Sequence, residues 1–262
     1  MKFGNNLKNS LFLKSLVLEK SNSSKIGLIV LFDAMFLISL FILQRLADYF
    51  AASLSFQPSA SIYVYMVFSL IYYLMVFSLY VIFKYIILNF IKSLFGRTQI
   101  LFGKLGQFYL LNLIIAGVFL AIMLLLNFIL YSLKQAYAPY VFIVMAIPYL
   151  LFLYIVINLA HSVFYEGASI KNTLKCSFKA PFAKIKSYRE NVLIMIFFGF
   201  LLWILLLGSG YLLRLATSGN QILYLDVYPY FKQTSIIIMD IIIYFAILTN
   251  RISFYISAKE IR

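Results

Sequence analysis

Six apolar stretches, each about twenty residues long, recur along the chain at 26–43, 62–83, 108–130, 142–164, 192–213 and 230–248. At a rise of about 1.5 Å per residue each is long enough to cross a hydrocarbon layer of ~30 Å. Apolar side chains cover every face of these runs, whereas a barrel strand would alternate over about ten residues. A helix satisfies its own backbone groups in lipid. The pattern therefore predicts an all-α polytopic transmembrane helical bundle of about six spans, a single integral membrane domain over residues 1–262.

Composition agrees with the pattern. Hydrophobic residues make up 64% and charged residues 11% of the chain, against about 45–50% and 25% in soluble domains. The formal charge is +14, which in a soluble protein would suggest nucleic acid. Here the basic residues flank the apolar runs and the aromatic residues lie inside them, so no nucleic-acid partner is expected. Lys and Arg near span ends are retained on the cytoplasmic side. One set of segments holds 18 of the 22 basic residues, and the alternate set holds Arg45, Lys134, Arg214 and Lys232. This alternation predicts a multi-pass protein of the cell membrane with both termini cytoplasmic. The lysine-bearing residues before the first run, and the length of that run, predict an uncleaved first span. Cys176 is the single cysteine, which excludes an intrachain disulfide and a zinc site of paired thiolates.

The polar connections carry further expectations. Within 165–191, Ile170, Leu174 and Phe178 recur every four residues beside Lys171, Lys175 and Lys179. This predicts an interfacial cytoplasmic helix over 169–179, its apolar stripe in the lipid boundary and its lysines on anionic headgroups; a solvated charged linker is the alternative. Pro181 is expected to end that helix at Lys179 or Ala180. Segment 84–107 either extends the second helix or lies along the membrane surface. The first twenty residues predict a short surface helix without a clean amphipathic face.

Asp33 and Asp240 are the acids placed within apolar runs. An acid at a helix centre costs about 2.5–3.5 kcal/mol, and each Leu, Ile, Phe or Val returns about 0.3–0.6 kcal/mol. The apolar residues of the first span outweigh Asp33 about twofold; those of the sixth barely offset Asp240, which should need a partner or its own protonation. Lys84 is expected at the depth of Asp33. Asn158, His161 and the tyrosines of the fourth span are the candidates beside Asp240. His161, the single histidine, is expected at the interface and cannot build a paired-imidazole metal site. Gly117 and Ala121 predict a close helix approach, and Pro148 a kink. No catalytic motif, phosphate loop, selectivity filter or voltage-sensor pattern occurs, so no catalytic residue, cofactor or metal is expected.

Tyr165-Glu166-Gly167, Ser169-Ile170 and Leu174-Lys175-Cys176-Ser177-Phe178, followed by a new span, together with Asn250-Arg251-Ile252-Ser253-Phe254-Tyr255, resemble a group of six-helix prokaryotic membrane proteins. That group includes the membrane domain attached to some glycerophosphodiester phosphodiesterases and many uncharacterised relatives. The resemblance implies a fold and a membrane role and carries over no catalytic residue. The leading expectation is a non-enzymatic scaffold, or a subunit acting with a membrane protein partner or with lipid. The alternative is a small-solute or ion transporter using Asp33 and Asp240.

Overall fold

The computed structural model describes residues 10–55, 62–96, 102–133, 137–183, 185, 188–217 and 220–261. Lys2, Lys8, Arg97, Lys134, Lys184, Lys186 and Arg262, used above for orientation, lie outside them. The described chain is all-α. Its helices are α1 (Leu11–Ser21), α2 (Ser23–Ser55), α3 (Ile62–Ser93), α4 (Leu105–Tyr131, after a 3-10 turn at Phe102–Lys104), α5 (Ala138–Tyr165), α6 (Ile170–Ala183), α7 (Arg189–Ala216) and α8 (Gln221–Ile261). Six of them, α2, α3, α4, α5, α7 and α8, are long and apolar enough to cross a membrane. They coincide with the six apolar stretches, and the chain is a multi-pass membrane protein.

Several helices outrun their apolar cores. α3 continues unbroken through Lys84 to Ser93, so the first part of segment 84–107 extends the second helix. α2 continues past residue 43 because its polar residues find partners: Gln44 Nε2 donates to Asp48 Oδ1 at 2.8 Å, the Tyr72 hydroxyl donates to Gln44, and the Arg45 guanidinium lies 5.0 Å from the Phe41 ring centroid. α8 begins nine residues before the expected span. Asn220 Oδ1 accepts from Ile222 N at 3.1 Å and Leu223 N at 3.2 Å, an N-cap that starts the helix, and Pro229 is carried inside it. Its 41 residues reach about 60 Å, twice the thickness of a hydrocarbon core.

The turn between α5 and α6 rests on Gly167, whose φ of +91° is costly for any residue with a Cβ. Gly167 N donates to Phe164 O at 2.9 Å. Around it the Tyr165 hydroxyl donates to Tyr85 O, and Lys92 Nζ donates to Tyr165 O at 2.8 Å. Pro181 does not end α6, contrary to expectation. The helix runs on to Ala183, and the Pro181 carbonyl accepts the Tyr188 hydroxyl, which gives the last turn a partner beyond the proline.

The chain forms two compact units, one of residues 21–178 and one of residues 1–20 with 179–262. In the first, α2 and α3 run antiparallel in a register marked by Lys25 Nζ on Ser93 O, by Phe32 on Phe90 at 5.3 Å and by Phe36 on Phe83 at 5.7 Å. Its core lies at one end of the helices, where Val81, Tyr85, Ile87 and Ile91 of α3 are buried with Phe108 and Leu111 of α4 and Val156 and Leu159 of α5. In the second unit the core is the last stretch of α8, with Leu248, Ile252, Phe254 and Tyr255 buried. The remaining lengths of the long helices leave Leu, Ile, Phe and Val exposed on all sides, the surface a bilayer covers.

Candidate functional site

Within residues 21–178 two buried polar side chains, His161 and Asn112, meet between α5 and α4. His161 lies near the end of α5, as expected, and is 1% exposed, inside the protein. Asn112 Nδ2 donates to Phe108 O at 2.8 Å, which turns the amide oxygen toward the imidazole, and His161 Nε2 donates to Asn112 Oδ1 at 2.8 Å. Phe108 lies 5.0 Å from the imidazole, with Tyr85 and Phe164 each 5.5 Å from the Phe108 ring. A histidine four residues from a helix end is held this deep because α4 supplies an amide at its level. Asn158 is half-buried and donates to Tyr154 O at 2.8 Å within its own helix. Asp33 and Lys84 are both buried, at 9% exposure, and the register of α2 on α3 places them at one level.

The unit of residues 1–20 and 179–262 builds its polar core differently. The Glu190 carboxylate at the start of α7 accepts from the Ser10 hydroxyl, from Leu11 N at 3.1 Å and from Phe12 N at 3.3 Å. These contacts put a negative charge on the N-terminus of α1, where unpaired amides and the helix dipole favour it. Asn191, fully buried, accepts from the Ser253 hydroxyl and donates to Ser257 Oγ at 3.4 Å, and Ser257 Oγ donates to Ser253 O at 3.0 Å. Near the other end of α1, Glu19 Oε1 is buried without a hydrogen-bond partner among the described residues. Burial pushes the Glu19 carboxyl above its ordinary value, and the Thr249 hydroxyl partly opposes the shift. The surface helix expected from the sequence is therefore docked, with Leu11 and Ser15 buried and Leu13, Leu16 and Val17 exposed.

Asp240 is exposed on α8, and Ile237, Ile238, Ile241 and Ile242 beside it are exposed as well. Of the side chains expected to serve it, Asn158 donates to Tyr154 O and His161 pairs with Asn112, both within residues 21–178. Gly117 and Ala121 correct another expectation. Both are exposed, and a Cβ built on Gly117 meets nothing within 4 Å, so no helix approaches there among the described residues. A shallow apolar hollow of about 700 Å³ at the start of α3 is lined by Tyr63, Tyr65, Met66 and Leu70 among others. None of the candidate polar residues lines it.

The structure also corrects the seating of α6. Its buried stripe is Thr173, Ser177 and Ala180, three small residues. Phe178, expected in lipid, packs its ring against Phe119 at 6.1 Å and Phe152 at 6.2 Å. Lys171, Lys175 and Lys179 are exposed. Among the described residues no three His, Cys, Asp or Glu side chains lie close enough to hold a metal.

Asn112, Asn191, Glu190 and Glu19 are among the polar residues that sequence reasoning did not single out. An amide inside the apolar run of α4, and a Glu-Asn pair opening α7 opposite serines spaced four apart in α8, were the available signals. Comparison of the chain with protein-family models, with curated proteins and with solved structures finds no match.

Proposed function

We propose that this protein is a non-enzymatic subunit or scaffold of a membrane complex, with its basic helix ends in the cytoplasm. The observation that carries the reading is Asp240, an acid exposed in the middle of an apolar membrane helix and flanked by exposed isoleucines. Ionised acids facing lipid are costly. A neighbouring membrane helix that brings a basic or proton-donating side chain removes that cost, and in this reading a partner protein supplies it. The buried polar groups support the same reading, because the His161–Asn112 pair and Asn191 with Ser253 hold helices together through hydrogen bonds within the chain.

The test is the size of the particle that carries the chain. In membranes solubilised in a mild detergent, wild type is expected to migrate above the 30.3 kDa chain with its micelle, and Asp240→Leu at the single-chain position. Wild type and variant both migrating as single chains would overturn the proposal. Transport through Asp240 is the competing reading. Proton-coupled solute uptake by the purified chain in liposomes, abolished by Asp240→Asn, would establish that reading instead.

A further inference from the structure

α6 has two faces of unlike chemistry, and its own helical geometry sets both. At about 100° per residue, Ala180, Thr173, Ser177 and Pro181 fall on one side, and all four are buried. Lys171, Lys175 and Lys179 fall within about 80° of arc on the opposite side, all exposed. Phe182 projects inside that same arc and is 79% exposed. From Gly167 to Arg189 the sequence contains six basic residues and no Asp or Glu, so no acid on α6 competes for the row.

We infer that the exposed face of α6 is a binding surface for the headgroups of anionic phospholipids. Three ammonium groups in line, one helical turn apart, match a row of phosphates. Phe182 separates a bilayer from a soluble anion, because a ring set among lysines gains from the acyl boundary and gains nothing from water. The docked opposite face keeps the row outward. Lipid contact is thus made by the lysine side of the helix and by Phe182, while Phe178, half-buried beside the lysine arc, packs on Phe119 and Phe152.

The experiment titrates the purified full chain, in a neutral detergent at 0.1 M salt, with phosphatidylglycerol or phosphatidylcholine and counts retained lipids by native mass spectrometry. Wild type is expected to retain phosphatidylglycerol in preference. Replacing Lys171, Lys175 and Lys179 together by Gln should lower that retention on the order of a hundredfold, since each Lys near an anionic surface contributes roughly a fivefold factor. Phe182→Ser should lower it about threefold. All four residues are exposed, and a size-exclusion profile matching wild type verifies that each variant folds. A control of equal charge, Lys14, Lys20 and Lys232 replaced by Gln, should stay within about twofold of wild type. Equal retention of the two lipids, or a control that falls as far as the α6 triple variant, would overturn the inference. Displacement of the lipid by inorganic phosphate with no effect of Phe182→Ser would overturn it in favour of a soluble-anion site.

Discussion

The α2–α3 hairpin and the α7–α8 hairpin each carry one aspartate within an apolar helix, and they house it in opposite ways. Asp33 is buried at the level of Lys84, in a register fixed by aromatic pairs on either side of it. Asp240 stands exposed among isoleucines on α8. Hydropathy treats the two acids alike, as equal penalties in a span. What differs is the face of the helix each occupies. An acid that faces its own bundle is part of the fold, and an acid that faces outward is a demand on something else in the membrane.

The most sensitive way to break this comparison is to replace both acids by leucine and measure unfolding of the isolated protein in detergent. Asp33→Leu should cost about 1–3 kcal/mol, the cost of removing a polar group from a buried site whose neighbours were arranged for it. Asp240→Leu should stay within about 0.5 kcal/mol of wild type. A loss of similar size at both positions would mean that Asp240 is bound within the chain, and the contrast would be gone.

His161→Leu and Asn158→Leu sharpen the same distinction among neutral groups. The first strands the Asn112 amide oxygen in a buried site and should cost about 1–2 kcal/mol, near the upper end measured for bonds between membrane helices. The second removes a bond that stays within one helix, and about 0.5 kcal/mol is expected. Thermal unfolding followed by circular dichroism separates the two.

Glu190→Gln should weaken the seat of α1 by about 0.5–1 kcal/mol, because it removes the charge on the helix N-terminus and keeps the side chain's shape. Faster hydrogen exchange of the amides of Leu13 to Leu18, with those of Leu248 to Tyr255 unchanged, is the expected signature.

The smallest effect is at Glu19 and depends on pH. Its carboxyl binds a proton more tightly in the folded protein than in the unfolded chain. The stability this provides is complete below the ordinary value of 4.5 and is lost as pH rises through the raised value. Glu19→Gln removes that loss. The gap between variant and wild-type melting temperatures should therefore be constant below pH 4.5 and widen in the variant's favour above it.

How much of this was legible in the sequence follows from what each signal measures. The six helices were, because apolar runs of twenty residues leave no other structure in lipid. Their ends were not. Asn220, capping α8, and Gln44, pairing with Asp48 and Tyr72, extend helices through polar stretches that hydropathy reads as loops. The amphipathic pattern located α6 and its exposed lysine row but not its buried face. Ile170, Leu174 and Phe178 are the more apolar residues, yet the small side chains of Thr173, Ser177 and Ala180 are the ones that fit under close packing. The identities of Asp33, Lys84, His161 and Asp240 were visible, but their surroundings were not, since a residue's rotational position on its helix says nothing until the neighbouring helix is in place.

The central claim is that the Asp240 face of α8 is covered in the native membrane. With Cys176 replaced by Ala, a spin label on Ile241→Cys, one residue from Asp240, reports oxygen accessibility both in native membranes and in the purified chain reconstituted alone. The account predicts low accessibility in the first and high accessibility in the second. High accessibility in both would contradict it.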